Sequence, residues 1–277
     1  MSIQPNSIGR TKPFLRWAGG KTKFVHEIVS RLPSLPGGGT YYEPFLGAGA
    51  VFLAYAPARA SLSDLNPDLV DTFAAIRDHP AEVAKRLHAL HSRDSEHSYY
   101  CVRDQFNSGG TPWLQAARFI YLNQTSFNGI YRVNRRGQYN VPYGFKPKPN
   151  IPNRTVLESV ACILKNATIQ IADYKQALAK AAAGDIIYLD PPYPPLNGTS
   201  YFTHYTKERF GNEDQVEVAR MAKSLWDRGC IVIVTNANTP LIRKLYTQWH
   251  IVEIARPRWI TSSRHKHRVI ELIITSF

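Results

Sequence analysis

The chain has few of the features that mark secreted, metal-binding or membrane-spanning proteins. Its three cysteines, Cys101, Cys162 and Cys230, lie far apart and form no Cys-x-x-Cys pair, so neither a disulfide framework nor a zinc site is expected. No stretch approaches about 18 uninterrupted apolar residues, and the amino-terminal residues lack the apolar segment of a signal peptide. We therefore expect a cytoplasmic protein that binds no metal and no membrane.

Acidic residues are scarce relative to basic ones. The 277 residues include 21 Asp and Glu against 34 Lys and Arg, which gives a formal net charge of +13. Such an excess is typical of proteins that bind a polyanion, because clustered positive charge attracts phosphate groups. With 44% apolar residues, the chain can also bury a full core, either as one large domain or as one domain with a smaller insert.

Strand patterns alternate with helical patterns at both ends of the chain. Strands are predicted over 40–44, 60–63, 168–172, 186–189, 231–234, 251–254 and 269–274. Helices are predicted over 51–55, after the N-cap Asn66, and over 212–228 and 239–246. This alternation predicts an α/β fold whose sheet is mostly parallel and covered on both faces. The last two strands have no helix between them and are expected to form an antiparallel hairpin at the sheet edge.

The middle of the chain breaks this alternation. Helical patterns alone run from about 78 to 123, and the segment that follows is polar, aromatic and punctuated by glycine. We interpret 78–154 as an inserted helical domain that ends in a basic loop or hairpin, within a main domain made of 1–77 and 155–277. Residues 126–154 hold six basic residues and no acidic one: Arg132, Arg135, Arg136, Lys146, Lys148 and Arg154.

The most informative motif is the tetrapeptide Asp190-Pro191-Pro192-Tyr193. It follows the apolar run 185–189, which predicts a buried strand, and its two prolines end that strand. The Asp190 carboxylate and the Pro191 carbonyl could accept the two N–H bonds of an exocyclic amine, while Tyr193 stacks on the ring that carries the amine. A strand followed by a proline-rich turn without any ligand is the alternative that this motif alone leaves open.

A glycine turn follows the first predicted strand. Gly47 and Gly49 permit a close backbone approach, and the helix that follows offers free N–H groups to an anion. A dinucleotide fingerprint would require a third glycine where Phe52 stands, so a nicotinamide cofactor is disfavoured. Gly20-Lys21-Thr22 could end a phosphate-binding P-loop, but Leu15 stands where that motif requires glycine, and ATP binding is rejected. The glycine turn alone fits an ordinary α/β turn equally well.

Four signals fall at the carboxyl ends of predicted strands. They are the turn 45–49, Asp64, Asp173 and Asp190. In an open parallel sheet these ends share one edge, which is the edge where ligands bind. An acidic side chain at the position of Asp64 can accept hydrogen bonds from ribose hydroxyls. Their convergence favours a ligand site over four unrelated turns.

These motifs, in this order, resemble those of the Dam-type DNA adenine-N6 methyltransferases. The resemblance extends from Phe14 to about Phe277. It rests on Phe14-Leu15-Arg16-Trp17-Ala18-Gly19-Gly20-Lys21, Glu43-Pro44-Phe45-Leu46-Gly47-Ala48-Gly49, Ser63-Asp64-Leu65-Asn66, Asn128-Gly129-Ile130-Tyr131-Arg132-Val133-Asn134, Tyr139-Asn140-Val141-Pro142-Tyr143-Gly144 and Asp190-Pro191-Pro192-Tyr193.

The resemblance implies a Rossmann-like methyltransferase fold with S-adenosyl-L-methionine as cofactor, double-stranded DNA as partner, and 78–154 as the target-recognition domain. The catalytic residues would be Asp190, Pro191 and Tyr193. The implied cofactor site consists of Trp17, Lys21, Phe45, Gly47, Gly49, Asp64, Asp173, Tyr174 and Asp190. The implied DNA contacts are Asn128, Ile130, Arg132, Asn134, Arg135, Arg136 and Lys146.

The DNA contacts can be divided by chemistry. Arg132 and Asn134 are the better candidates for base edges, since Arg pairs bidentately with guanine and Asn with adenine. The residues expected to contact phosphates are Arg135, Arg136, Lys146 and Lys148. The recognition sequence could be GATC, which is common in the family. The sequence leaves open whether the enzyme is a stand-alone regulator, a phage product or the partner of a restriction nuclease.

The implied reaction requires an adenine flipped out of the duplex. Two acceptors on the N6 hydrogens favour a pyramidal nitrogen whose lone pair attacks the methyl group, so neither a metal nor a covalent intermediate is needed. Three alternatives stay open: an RNA amino-group methyltransferase, a glutamine-amide methyltransferase and a catalytically silent DNA-binding module. The basic insert and Asp190 argue against the second, and the joint presence of Trp17, Asp64 and Asp190 argues against the third.

Overall fold

The computed structural model describes residues 11–194, 210–258 and 267–277. Within these residues one sheet contains the strands β1 (Tyr41–Glu43), β2 (Ala60–Asp64), β3 (Ala167–Ile171), β4 (Ile186–Leu189), β5 (Ile231–Ala237), β6 (His250–Arg258) and β7 (His267–Thr275). The strand order is β3-β2-β1-β4-β5-β7-β6. The pairs among β1 to β5 are parallel, and β7 runs antiparallel between β5 and β6.

Helices connect and cover these strands in the described part of the chain. They are α1 (Val25–Val29), α2 (Ala50–Tyr55), α3 (Pro67–Asp78), α4 (Pro80–His91), α5 (Glu96–Asn107), α6 (Pro112–Thr125), α7 (Arg154–Leu164), α8 (Tyr174–Ala177), α9 (Asn212–Asp227) and α10 (Pro240–Leu245), with a short 3-10 turn at Phe127–Gly129. None of them combines the length and the apolar character that crossing a membrane requires.

The sequence predicted most of these elements to within a few residues. The mostly parallel sheet is confirmed, and so is the antiparallel hairpin of β6 and β7. Asn66 caps α3 as expected, because its side-chain oxygen accepts from the Leu69 N–H at 3.2 Å. Helix α7 was not predicted, although Asn153 caps it and its apolar residues recur at helical spacing.

The two faces of the sheet belong to two hydrophobic clusters. Alternate side chains of β4 point to opposite sides: Tyr188 joins the cluster under α2 to α7, whereas Ile187 and Leu189 join the cluster under α8 to α10. Apolar residues of α4, α5 and α6 belong to the first cluster, so the predicted insert shares its core with the main domain. The division at 78 and 154 stays a prediction about function.

The strand order places one crevice at the centre of the sheet. From β1 the chain continues to β2 and β3 on one side, while β4 and β5 lie on the other side. At such a switch point the loops that leave two neighbouring parallel strands diverge, and a ligand can enter between them. Here the loops are those that follow Glu43 of β1 and Leu189 of β4.

Candidate functional site

The carboxylate of Asp190 is held on both oxygens at this crevice. Its Oδ2 lies 2.7 Å from the ammonium Nζ of Lys21, and its Oδ1 accepts from the hydroxyl of Thr235 at 2.8 Å. Lys21 is only 4% exposed and also donates to the Gly19 carbonyl at 2.7 Å. The carboxylate at the end of β4 is therefore fixed in position, and a buried cation compensates its charge.

Tyr193 is held at its hydroxyl and over its ring. The hydroxyl donates to a carboxylate oxygen of Glu271 on β7 at 3.1 Å, and the Lys21 ammonium lies 4.7 Å from the ring centroid. Burial, reinforced by the negative charges of Asp190 and Glu271, raises the pKa of Tyr193 well above its usual value. The phenol therefore stays neutral and presents a fixed ring beside Asp190.

Two buried amides anchor the backbone of the proline pair. Gln215 of α9 donates to the Pro192 carbonyl at 2.7 Å, and Asn236 of β5 donates to the Gln215 side-chain oxygen at 2.8 Å. Sequence reasoning missed both residues, together with Thr235 and Glu271. A signal was present in β5, where Thr235 and Asn236 interrupt a continuous apolar run.

The glycine turn is tied to the end of β2. Asp64 accepts from the Gly47 N–H at 3.1 Å and from the Asn66 N–H at 3.0 Å, and its burial raises its pKa. Gly47 and Gly49 both have positive φ, at 48° and 63°. A Cβ at Gly47 would lie 3.0 Å from Cδ1 of Trp17, so the indole covers this turn. Asp64 thus organises the turn in addition to any ligand it binds.

An aromatic pair lies beyond the turn. The ring of Phe45 stacks on Tyr174 with centroids 5.4 Å apart, and burial raises the pKa of Tyr174 to about 12. Asp173 caps the short helix α8 by accepting from the Lys175 N–H at 2.8 Å. The structure therefore places these predicted residues at the same edge as Asp64.

Two exposed apolar side chains lie between the acidic groups of this edge, and sequence reasoning missed them as well. Leu65 is 50% exposed and Ile171 is 53% exposed. Leu65 directly follows Asp64, and Asp64 pairs with Ile171 in the register of β2 and β3, so both residues lie at the carboxyl ends of these strands. An apolar surface next to a carboxylate suits a flat heteroaromatic ring joined to a sugar.

A buried carboxyl group underlies the crevice. Glu43, at the end of β1, accepts from the Tyr41 hydroxyl at 2.6 Å. Burial raises the pKa of Glu43 to about 8, although the Tyr41 bond opposes the shift, and the neighbouring charge of Asp190 raises it further. This shift favours the neutral, protonated form of the Glu43 carboxyl beside Asp190.

The predicted recognition residues lie on an irregular hairpin joined by the bridges Ser126–Tyr143 and Val133–Tyr139. The guanidinium of Arg132 is paired across it with Asn140, through Nε to the side-chain oxygen at 2.7 Å and Nη2 to the carbonyl at 3.0 Å. Asn134 forms the turn: its side-chain oxygen accepts from the N–H groups of Arg136 and Gln138. Its role as a base reader stays a prediction.

The remaining recognition residues differ in their surroundings. Arg135 and Arg136 are exposed at the turn, and Asn128 is exposed with a left-handed φ of 54°. Ile130 packs against the core, and Lys146 donates to the Gln124 carbonyl near the end of α6 at 2.8 Å. The same surface carries two large exposed rings that were not predicted as site residues: Phe127, 53% exposed, and Phe145, 68% exposed.

The sheet order, the glycine turn, the acidic residue after β2 and the Asp-Pro-Pro-Tyr segment after β4 together define a Rossmann-like methyltransferase. The chain belongs to the D12 class N6 adenine-specific DNA methyltransferases, whose family profile matches residues 17–260. No cluster of three or more His, Cys, Asp or Glu suited to a metal occurs among the residues that the structure describes.

Several relatives share nearly the whole chain. A Type II methyltransferase of Lactococcus lactis, M1.LlaDCHI, is 35% identical over 99% of this chain and 98% of its own length. A Type II methyltransferase of Methanocaldococcus jannaschii, M.MjaIII, is 36% identical over 96% of this chain and 99% of its own. The DNA adenine methylase of Escherichia coli is 35% identical over 89% of each chain.

The predicted family, fold class and enzymatic activity are thereby confirmed. The protein is an adenine-specific DNA methyltransferase, and it requires a methyl donor. The comparisons do not support the RNA, glutamine-amide or silent-module alternatives, and GATC is not confirmed as the target.

Proposed function

We propose that this methyltransferase transfers the methyl group of S-adenosyl-L-methionine to N6 of an adenine flipped out of double-stranded DNA. The observation that carries this proposal is the Asp190 carboxylate, fixed at the switch point between Lys21 and Thr235. Residues 78–154 serve as the target-recognition part. The cytoplasm is the expected location, where the enzyme acts on chromosomal or phage DNA.

The carboxyl edge of β1, β2 and β3 fits the cofactor. A side chain at Gly47 would meet the Trp17 indole, so only glycine leaves room for close approach at the turn. Asp64 has lone pairs beyond those used by Gly47 and Asn66 and can accept from ribose hydroxyls. Leu65 and Ile171 offer the apolar surface for the adenine ring. When bound, the cofactor supplies an electrophilic methyl group.

The Asp190-Tyr193 segment fits the target adenine. The amino group donates one N–H to Asp190 and the other to the Pro191 carbonyl, which favours a pyramidal nitrogen with a free lone pair. Tyr193, held by Glu271, stacks on the base and offsets part of the unstacking cost, on the order of a few kcal/mol. Gln215 fixes the backbone between these groups, so the acceptors are in place before the substrate arrives.

The hairpin supplies the contacts to the duplex. The exposed side chains of Arg135 and Arg136 are placed to neutralise phosphates. Arg132 would exchange its Asn140 partner for a base edge on binding. The exposed ring of Phe127, beside Asn128, is suited to stacking on bases next to the flipped nucleotide.

Asp64→Ala is expected to weaken binding of S-adenosyl-L-methionine by about 1.5–3 kcal/mol, because a charge-assisted hydrogen bond is lost. Part of this loss arises from the loosened Gly47 turn, so Asp64→Asn, which keeps one acceptor oxygen, should bind more tightly than Asp64→Ala. Isothermal calorimetry checks both affinities. Glu158→Ala, which changes only an exposed pair with Arg154, serves as control and should bind normally. Unaltered affinity in Asp64→Ala would remove Asp64 from the cofactor site.

Arg132→Ala and Arg136→Ala are expected to affect DNA binding differently. Arg132→Ala should relax discrimination at one base pair. The binding free energy should fall by about 1–3 kcal/mol for the correct site and change little for sites with another base pair at that position. Arg136→Ala should weaken binding to all sequences equally. It should also reduce the salt dependence of the binding constant by the contribution of about one phosphate contact. Competition binding against duplexes with single-base changes measures both effects. A uniform loss of affinity in Arg132→Ala would make Arg132 a phosphate contact.

Methylation-sensitive sequencing of DNA from cells that express the protein tests the proposal as a whole. The expected result is N6-methyladenine at one short sequence motif, which would also decide whether that motif is GATC. Methylation of another base, or none in cells that contain the folded protein, would contradict the proposed function.

A further inference from the structure

Tyr131 joins the proposed recognition hairpin to the proposed cofactor site. Its ring stacks on the indole of Trp17, with centroids 5.8 Å apart and planes inclined by 29°. Its hydroxyl donates to Oδ2 of Asp68 at 2.7 Å, and burial raises its pKa above the usual value. Tyr131 lies directly before Arg132, so a residue next to the proposed base reader contacts two elements of the main domain.

Both partners of Tyr131 lie next to the cofactor turn. Trp17 packs over Gly47, where an added Cβ would come within 3.0 Å of the indole. Asp68 lies in the first turn of α3, two residues after Asn66, whose N–H binds Asp64. A ligand seated on the Gly47 turn would therefore restrict the indole and the start of α3, which are the two groups that hold Tyr131.

A second set of contacts joins the same two parts. Asn123 of α6 accepts from the Arg16 N–H and donates to the Arg16 carbonyl, both at 2.8 Å. A Cβ at Gly129 would lie 2.6 Å from Cζ of Arg16, so the hairpin backbone rests directly on this side chain. The segment that carries Trp17 is thus packed between the glycine turn and the hairpin. Displacement of the glycine turn should therefore disturb the hairpin through this segment.

We infer that Tyr131 is a positioning residue that couples cofactor binding to DNA recognition. The inference rests on the proposed function. A cofactor in its site restrains Trp17, Trp17 restrains the ring of Tyr131, and Tyr131 sets the position of Arg132 at the DNA surface. Because coupling between two sites is reciprocal, target DNA should bind more tightly with cofactor present, and the cofactor more tightly with DNA present. In coupling of this kind, one ligand typically changes the affinity for the other by about 5- to 150-fold.

The test measures the affinity of the protein for an unmethylated duplex that carries the sequence it methylates. The affinity is measured with and without saturating S-adenosylhomocysteine. The wild-type protein should bind the duplex several-fold more tightly with this cofactor product. In Tyr131→Leu the ratio of the two affinities should fall to within about twofold of one. Tyr131→Phe, which keeps the stacked ring and loses only the bond to Asp68, should restore most of the ratio.

Tyr121→Leu is the matched control for a purely structural effect of Tyr131→Leu. The Tyr121 hydroxyl donates to Asp94 at 2.6 Å, a tyrosine–carboxylate bond of the same kind in the same part of the chain. This variant should keep the wild-type ratio even where its melting temperature falls as far as that of Tyr131→Leu. A wild-type ratio of one, a Tyr131→Leu ratio near the wild-type value, or an equal loss in Tyr121→Leu would each overturn the inference.

Failure of this inference can be distinguished from failure of the proposed function. Methyl transfer to the same duplex and binding of S-adenosylhomocysteine alone are measured on the same preparations. If the wild-type protein transfers the methyl group and binds S-adenosylhomocysteine but has an affinity ratio of one, only the inference about Tyr131 is refuted. Loss of both in the wild-type protein would instead refute the proposed function.

Discussion

Asp190→Ala is expected to lower the rate of methyl transfer by about 10³-fold or more, because it removes the preorganised carboxylate that we propose as an acceptor for the reacting amine. Single-turnover transfer to duplex DNA at saturating cofactor measures this step without interference from product release. Asp190→Asn keeps the shape and one acceptor oxygen but lacks the charge, so its rate should lie between those of Asp190→Ala and the wild-type protein. Near-wild-type turnover by folded Asp190→Ala would refute the proposed mechanism.

The variant also needs a control for stability, because Asp190→Ala leaves the buried ammonium of Lys21 without its carboxylate. An unpaired buried charge costs about 3–5 kcal/mol of folding free energy. The double variant with Asp190→Ala and Lys21→Met removes both charges and should recover much of this stability. It should recover none of the activity, which separates the chemical role of Asp190 from its structural role.

Lys21→Met is expected to lower the transfer rate by about 10²-fold and to destabilise the fold. The Lys21 ammonium contacts both the Asp190 carboxylate and the Tyr193 ring, so its removal releases the two groups that we propose to hold the target base. Chemical denaturation gives the loss of stability, expected at about 3–5 kcal/mol because Asp190 loses its buried partner.

Lys223→Met is a suitable comparison for Lys21→Met. Lys223 also pairs with a carboxylate, that of Asp227, and lies 5.2 Å from the ring of Trp226. This pair is exposed, so its loss should change stability by less than about 1 kcal/mol and leave transfer unchanged. Equal effects of the two substitutions would show that the position of Lys21 at Asp190 has no special importance.

The order of residue types along the chain was sufficient to predict the sheet and the groups at its carboxyl edge. Continuous apolar runs, the glycine turn and the paired prolines are local signals, and parallel strands bring their carboxyl ends to one edge. The convergence of Asp64, Asp173 and Asp190 could therefore be expected without knowledge of the strand order.

The residues that support Asp190-Tyr193 could not be predicted in the same way. Gln215, Thr235 and Glu271 come from α9, β5 and β7, and their contacts depend on β5 lying beside β4 and on β7 inserting next to β5. That order is a property of the folded chain rather than of any local pattern.

The hairpin shows a second limit of sequence reasoning. Residue type suggested that Arg132 and Asn134 read bases, but a side chain that can bond to a base can also bond to its own backbone. Asn134 closes the turn at Gly137, and Arg132 pairs with Asn140. Residue type alone does not distinguish a side chain that binds a base from one that holds the hairpin, since both roles use the same hydrogen-bond donors and acceptors.

The most direct test of the central claim follows the methyl group itself. Purified protein is incubated with S-adenosyl-L-methionine labelled in its methyl group and with unmethylated duplex DNA, and the DNA is then digested to nucleosides and separated. The proposed mechanism predicts that the label appears as N6-methyldeoxyadenosine with the wild-type protein and is absent with Asp190→Ala. Label on another base, on RNA or protein supplied in parallel, or in equal amount with Asp190→Ala would contradict it.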